Sequence, residues 1–271
     1  MRKSLGRRLR MMIFSSSMMI SIFVGLMILM RFRIQNFIGY NLNVGTSTLK
    51  DMGTIFLDDI FMAHTRNGFS LFSPILAVIP ATTIFCEDYN SGYIKFVLGR
   101  EDKKKYIKET WLCSTISGGL AIFSPCLLTD IFLLFNGKLN TKENKIQGYS
   151  TVFDETVYSN IQYIWGGILL AVLLLLLSFL FGALWSNVGL LISAVIPNKY
   201  IALALPFAIY FVLHLLFYKS NFLLVFSPAN MLMPSATFIP YKAYPFIYQI
   251  ALLCGVRFFY DKAMERRLRD V

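Results

Sequence analysis

The chain has 271 residues, of which 56% are hydrophobic, and it carries a formal net charge of +11. A water-soluble core of this length has no room for so many apolar side chains, and runs such as 168–180 need a lipid environment. No polar segment is longer than about 40 residues, which is too short for a separate soluble domain. We therefore expect one all-α membrane domain that covers residues 1–271.

The first predicted span covers residues 11–30 and directly follows a basic segment, which contains Arg2, Lys3, Arg7, Arg8 and Arg10. The apolar stretch is long enough for a full crossing and no small-x-small cleavage site follows it, so we predict a retained helix rather than a signal peptide. The second predicted span covers 69–86. It contains Pro74 and Pro80, which predict a kink that membrane helices tolerate when neighbours satisfy the freed carbonyls.

Four further spans are predicted, at 110–135, 161–183, 200–218 and 243–260. The apolar sequence continues beyond the fourth of these to Pro197, and we expect this part to be a tilted or broken extension. Residues 221–240 are apolar as well, but Pro228 and Pro234 interrupt them, with Asn230 between. This segment is predicted to be a re-entrant or interfacial hairpin rather than a straight crossing.

Lysine and arginine residues are distributed unevenly between the two sides of the predicted bundle. With six spans both termini lie on one side, and about two thirds of the 26 Lys and Arg residues fall on that side. The positive-inside rule makes it the cytoplasmic side. We expect a multi-pass protein of the plasma membrane. The net charge thus reflects orientation and attraction to anionic lipid headgroups, and it requires no nucleic-acid partner.

Motifs for several membrane chemistries are missing from the sequence. There is no G-x-x-x-x-G-K-[ST] segment to hold phosphate, and neither His64 nor His214 stands in an HExxH motif. Ser117 lacks the glycine pattern of an intramembrane protease and is interpreted as a packing residue. Asp130 and His214 are the best placed residues for proton coupling, but we favour an interfacial position for Asp130 and a helix–helix hydrogen bond for His214. The four cysteines form no CxxC pair, so no metal site is predicted.

The polar segment between the second and third spans is the most distinctive in the chain. Glu87 and Asp88 end the second span, and Ser91 with Gly92 allows a sharp reversal because glycine accepts a positive φ. A short apolar patch at 93–98 follows, and a basic stretch then leads into the third span. A stop-transfer loop would explain the basic residues, but not the acidic pair, the glycine and the aromatic patch together.

This segment resembles the loop of ABC-2-type transporter permeases, in which a glutamate, a glycine, a lysine and a later Arg/Tyr/Lys series recur between spans two and three. The residues that carry the resemblance are Phe85, Glu87, Gly92, Lys95, Leu98, Arg100, Tyr106 and Lys108. The basic start, the six spans and the proline-broken stretch before the last span are similar as well. The polar connections at 51–66 and 136–160 are longer than the family pattern.

The resemblance implies the transmembrane subunit of a bacterial ATP-driven exporter with no catalytic, cofactor or metal site of its own. ATP and magnesium would bind a separate ATPase subunit, and a second permease chain would complete the complex as a homo- or heterodimer. Residues 1–10 would form an interfacial connecting helix. A coupling helix within 87–108 would dock onto the ATPase, through Glu87, Asp88, Gly92, Tyr93, Lys95, Arg100, Tyr106 and Lys108. Elements that bend or gate a translocation path between two permease chains would include Pro74, Pro80, Pro206, His214 and Asn230.

The cargo class follows only loosely from the residues. Apolar spans with few buried charges favour an amphipathic or lipid-like cargo, such as a peptide or a drug. Two other classes stay open at this stage: a small-molecule-binding or accessory membrane subunit that transports nothing alone, and a membrane-embedded hydrolase. Co-purification with an ATPase would favour the exporter, whereas activity of the isolated chain would favour the hydrolase.

Overall fold

A computed structural model describes the chain at residues 2–43, 69–100, 102–136, 167–219, 223–232 and 243–269. Within these ranges every regular element is helical, which confirms the predicted all-α class. The α-helices are α1 (Arg2–Ile13), α2 (Ser16–Asn43), α3 (Phe69–Asn90), α4 (Tyr93–Leu98), α5 (Lys103–Asn136), α6 (Gly167–Val195), α7 (Lys199–Tyr218), α8 (Pro228–Leu232) and α9 (Tyr244–Arg267). A 3-10 turn at Leu223–Phe226 precedes α8.

Three of the described helices contain segments long and apolar enough to cross a membrane. They are Lys103–Phe132 in α5, Val172–Val195 in α6 and Lys199–Phe217 in α7. Shorter apolar stretches occur in α2 and α3, at Ser16–Met30 and Phe69–Thr82. A crossing needs about 20 apolar residues, so α5, α6 and α7 carry the membrane character of the chain most clearly.

The predicted span at 11–30 is not one continuous helix, because the structure breaks it near its start. The structure ends α1 at Ile13 and begins the apolar helix at Ser16. The Ser15 hydroxyl donates to the Met12 carbonyl at 2.7 Å and accepts a hydrogen bond from the Met18 amide at 3.2 Å. Serine hydroxyls favour helix starts because they satisfy free backbone groups there, so this residue separates a short surface helix from the apolar one.

Helix α6 lies at the centre of the bundle and packs against α3, α5, α7, α8 and α9. The sequence predicted a span at 161–183 with a tilted or broken extension, whereas α6 is one unbroken helix to Val195. No proline interrupts the helix, and Pro197 comes two residues after its end. Asn198 then caps α7, because its side-chain oxygen accepts hydrogen bonds from the amides of Tyr200 and Ile201 at 3.0 and 3.4 Å.

Helices α5 and α6 approach each other closely along a seam of small residues. A Cβ atom on Gly118 would overlap Ser186, and one on Gly182 would overlap the Gly118 carbonyl. The Ser114 and Ser186 hydroxyls lie 2.9 Å apart in the same seam. Ser117 is buried and its hydroxyl donates to the Ser114 carbonyl at 3.4 Å, which agrees with a packing role. Close packing and interhelical hydrogen bonds are the forces that hold helices together in lipid.

The two prolines of α3 lie inside a continuous helix. Each lacks the N–H that would bond to the carbonyl four residues earlier. The first proline frees the Ser70 carbonyl, which accepts the Ser73 hydroxyl at 2.8 Å. The second, Pro80, frees the Leu76 carbonyl, which accepts the Ser21 hydroxyl of α2 at 2.7 Å. Serine donors therefore satisfy both carbonyls, which accounts for an unbroken helix at apolar depth.

Residues 223–232 are the described part of the hairpin predicted at 221–240, and the remainder lies outside the described residues. They form the 3-10 turn and α8 instead of one long helix. His214 Nδ1 of α7 lies 3.0 Å from Ser227 Oγ between the two pieces, and Gln249 Nε2 of α9 donates to a carbonyl of α8 at 2.8 Å. This broken segment is held in place by the helices on both sides of it.

Candidate functional site

Five parts of the chain meet at one end of the bundle: α1, the turn between α3 and α4, the start of α5, the turn between α6 and α7, and the end of α9. The Arg8 guanidinium lies over the Tyr106 ring, 5.0 Å from its centroid, and joins α1 to α5. Lys103 Nζ donates to the Leu268 carbonyl at 2.6 Å and joins α5 to the chain just after α9. We call this end of the bundle the basal end.

Gly92 makes the reversal between α3 and α4 in a left-handed conformation, with φ at 71° and ψ at 4°. A side chain would have open space there, so the requirement for glycine comes from the backbone conformation alone. Asn90 Nδ2 donates to the Pro197 carbonyl at 3.1 Å. The α3–α4 turn is thereby fixed to the α6–α7 turn, and the sharp reversal expected from the sequence is present.

Helix α4 has one buried and one exposed side. Ile94 is only 2% exposed, whereas Tyr93 and Phe96 are 55% and 73% exposed. Lys95 is also exposed between them. We call Tyr93, Lys95 and Phe96 the α4 face. Adjacent exposed aromatic side chains on a fixed element mark an interaction surface more often than an isolated exposed residue does.

The buried side of α4 belongs to an apolar cluster at the basal end. Its members come from α3, α4, α5, α6 and the α9 region: Phe85, Ile94, Tyr106, Ile107, Trp111, Leu190, Ala194, Tyr260, Met264 and Leu268. Close-packed interiors resist compression and transmit displacement to their neighbours. Ile94 therefore joins α4 to the packed core that these long helices share.

A cavity of about 410 Å³ lies next to this cluster, between α1, α3, α4 and α5. Asp88 lines the cavity and is half-buried. Burial raises the pKa of Asp88, the positive charge of Arg8 opposes that rise, and the negative charge of Glu87 adds to it. Arg8 also lies 3.9 Å from a carboxylate oxygen of Glu109. Arg8 of the surface helix α1 thus interacts electrostatically with Asp88 of α3 and with Glu109 of α5.

The eight residues predicted to contact an ATPase separate into two groups. Five side chains face outward: Glu87, Tyr93, Lys95, Arg100 and Lys108. Gly92 shapes the turn, while Asp88 lines the cavity and Tyr106 is buried in the cluster under α4. Asp88 and Tyr106 thus both line the cavity, and the Tyr106 ring is almost fully buried.

The residues predicted to bend or gate a path lie elsewhere in the bundle. Pro74 and Pro80 are buried in α3, and Pro206 is buried in α7. Helices α3 and α7 pack against each other, and the rings of Phe72 and Phe207 stack with centroids 6.5 Å apart. His214 contacts Ser227, and Asn230 is half-buried in α8. Asp130 is buried in α5.

The contribution of the α9 end to the basal end was missed at the level of sequence. The guanidinium of Arg267 lies 4.7 Å from the Tyr89 ring centroid. Leu268 and Met264 are buried in the cluster together with Tyr260. Tyr260, Met264 and Leu268 are spaced by four residues, a helical stripe that could have indicated a packed rather than a solvated tail.

Neither a metal site nor a similarity to known proteins assigns a function to the basal end. Within the described ranges no group of three His, Cys, Asp or Glu side chains is arranged to hold a metal ion. No family model, curated protein or solved structure matches the chain. The resemblance at residues 85–108 therefore remains a prediction that rests on the sequence motif.

Proposed function

We propose that the chain is the membrane-spanning permease subunit of an ATP-driven exporter of amphipathic or hydrophobic cargo. The α4 face carries the proposal. It presents two exposed aromatic side chains on a short helix whose direction is set by Gly92 and whose inner side is anchored by Ile94. An element of this kind suits a rigid contact that transfers motion between a separate ATPase subunit and the membrane helices.

The position of the chain ends supports a six-span arrangement with both termini in the cytoplasm. Helix α1 and the end of α9 both lie at the basal end, beside the α3–α4 turn. Exposed basic residues are concentrated at the same end: Lys95, Arg100, Lys103, Lys104, Lys108, Arg266 and Arg269. Basic residues favour the cytoplasmic side, so the α4 face would be available to an ATPase there. Helices α2, α3 and α9 would complete the set of spans begun by α5, α6 and α7.

Transport would begin with a push or pull on the α4 face when the ATPase subunits change shape. Ile94 would pass this movement to the cluster under α4, which includes residues of α3, α5, α6 and α9. Because α3 also packs against α7, a shift of α3 would change the α3–α7 contact. The hydrolysis of ATP supplies the free energy on the partner, and this chain supplies the lever and the path.

The exposed surface of α7 suits a second permease chain. Only 17% of its span is buried within the protein, compared with 72% of the α6 span. Its exposed residues include large apolar side chains, namely Leu205, Phe211 and Leu215. A path between two permease chains would place α7 and α3 along it, as the family resemblance implies.

The proposal is tested by purifying the full chain from its native membrane in mild detergent and measuring bound ATPase subunit and ATP hydrolysis. The test variant combines Tyr93→Ala with Phe96→Ala. The control is Tyr200→Ala, which removes an exposed aromatic side chain at the same end of the bundle. We expect the double variant to lose at least about tenfold in ATPase recovery, since central aromatic contacts contribute about 2 kcal/mol or more each. Wild-type chain without an ATPase partner, or full recovery in the double variant, would contradict the proposal.

A further inference from the structure

Two neighbouring helices, α7 and α9, turn apolar stripes towards the same space. The α7 stripe consists of Ile209, Leu213 and Phe217, and the α9 stripe of Tyr248, Leu252 and Val256. Residues spaced by four lie on one side of a helix. Both helices pack on α6, but they make no extensive contact with each other in the described part of the chain. The stripes therefore border a cavity of about 310 Å³ instead of a helix–helix contact.

The cavity is closed on two further sides. Helix α6 forms its floor, where Trp185 is only 5% exposed. The short helix α8 closes one end through Pro228 and Met231. Contacts with α7 and α9 hold this end in place, since Ser227 meets α7 and the Met231 carbonyl accepts a hydrogen bond from α9. The cavity is thus a built feature whose walls are fixed by hydrogen bonds as well as by packing.

The lining determines which chemistry the cavity accepts. No charged side chain lines it, and the Tyr248 hydroxyl already donates to the Phe226 carbonyl at 3.2 Å. The indole N–H of Trp185 has no acceptor among the described residues. Burying a charge or several polar groups without partners costs several kcal/mol, with about 1–3 kcal/mol for each polar group. An occupant must therefore place an apolar chain here.

The open side of the cavity indicates where the occupant comes from. Leu252 lines the cavity and is 41% exposed, so the cavity opens beside α9. The exposed sides of α7 and α9 carry other apolar residues, namely Val212, Leu216, Ile247 and Ile250. In a chain with membrane-crossing helices, such a surface faces the hydrocarbon of the bilayer. We propose that the cavity between α7 and α9 is a binding site for one acyl chain of a membrane phospholipid.

The site requires no ATPase partner, so it is tested on the chain alone, reconstituted in phosphatidylcholine vesicles with or without brominated acyl chains. Bromine quenches tryptophan fluorescence at short range. Trp111 and Trp165 are changed to Phe, which leaves Trp185 as the reporter. A reference protein carries Leu216→Trp together with Trp185→Phe and so reports from the exposed side of α7. We expect brominated lipid to quench Trp185 nearly as strongly as the reference, although Trp185 is buried by protein on most sides.

Variants that fill the cavity show whether Trp185 is quenched by an acyl chain bound inside it or by lipid that is merely nearby. The double variant Leu213→Phe with Leu252→Phe places two larger side chains in the cavity, and quenching of Trp185 is expected to fall several-fold. The matched control, Val212→Phe with Ile250→Phe, adds the same groups outside the cavity and should retain full quenching. Circular dichroism verifies that both variants keep their helix content. Weak quenching of Trp185 in the unfilled protein, as expected for a cavity occupied by cargo or by a second copy, would overturn the proposal. Equal quenching in the filled variant would overturn it as well.

Discussion

The two shortest α-helices of the described chain, α4 and α8, lie in different surroundings. Both are apolar and both lie where the chain leaves a long helix. At the basal end α4 exposes Tyr93 and Phe96 and buries only Ile94. At the other end α8 buries Pro228, Met231 and Leu232. A short apolar helix is therefore part of the core in one place and mostly exposed in the other, and the difference comes from its neighbours.

The helix α8 contacts more neighbouring helices than α4 does. Helix α8 packs against α3, α6, α7 and α9, so little of its surface remains free. Helix α4 is attached mainly to α3, through a glycine turn and one buried side chain. Substitutions in α8 should therefore change the free energy of unfolding, whereas substitutions on the α4 face should change partner binding with little effect on folding. The predictions below run from the largest expected effect to the smallest.

Met231→Ala is expected to destabilise the chain by about 2–5 kcal/mol, because it removes a buried side chain from a close-packed site. Phe96→Ala, at an exposed position of α4, is expected to change the free energy of unfolding by less than about 0.5 kcal/mol. Unfolding in mixed detergent micelles, followed by circular dichroism, gives both values. Similar losses in the two variants would remove the distinction between the two helices.

Gly92→Ala is expected to strain the turn by about 1–2 kcal/mol, because alanine disfavours the left-handed conformation. The change should tilt α4 and reduce ATPase recovery even though every side chain of the α4 face is intact. Gly99→Ala is the matched control, since Gly99 has a right-handed φ of −69° and ordinary space for a Cβ atom. Equal recovery of the ATPase with both variants would show that the direction of α4 is unimportant.

Ser227→Ala is expected to destabilise the chain by about 0.6 kcal/mol, the average for hydrogen bonds between membrane helices. The variant removes the hydroxyl that lies 3.0 Å from His214 Nδ1. The same unfolding assay should show a smaller loss than for Met231→Ala, and ATPase recovery should be unchanged. A loss of transport without a loss of stability would instead assign His214 a direct part in gating.

The pH dependence of Asp88 gives the smallest effect. Its raised pKa means that the folded chain holds the proton more tightly than the unfolded chain, for which the ordinary value is 3.8. The contribution of this proton to stability is full below 3.8 and is lost as the pH rises through the folded pKa. Asp88→Asn should therefore be slightly more stable than wild type at pH 7, with the difference shrinking towards pH 3. A variant less stable than wild type at neutral pH would show that the attraction to Arg8 outweighs burial.

The sequence was sufficient for features that depend on local chemistry. Runs of apolar residues predicted long helices, and three described helices are long and apolar enough to cross a membrane. The prolines at 228 and 234 predicted an irregular segment, whose described part is broken. Gly92 predicted a sharp reversal because few other residues adopt a positive φ at low cost. In each case a short window of residues contains the physical cause, so no knowledge of distant neighbours was required.

Features that depend on distant neighbours could not be predicted. Apolarity alone does not distinguish α6 from α7, although one is mostly buried by protein and the other mostly exposed. Tyr106 was predicted to contact a partner, but the structure buries it beneath Arg8 and α4. Leu268 is buried at the basal end, and its carbonyl accepts a hydrogen bond from Lys103, which is far away in sequence. Such positions follow from the assembled bundle and not from local patterns.

The central claim is that the α4 face contacts a separate ATPase in the cytoplasm, and one measurement tests it directly. A photo-crosslinking amino acid replaces Phe96 in the full chain, and irradiation is carried out in native membranes. The account predicts a covalent adduct with an ATP-hydrolysing protein, and no such adduct when the crosslinker replaces Leu216 on the exposed side of α7. Adducts only with lipid would contradict the account. Labelling of position 96 by a reagent applied to the outside of the cell would contradict it as well.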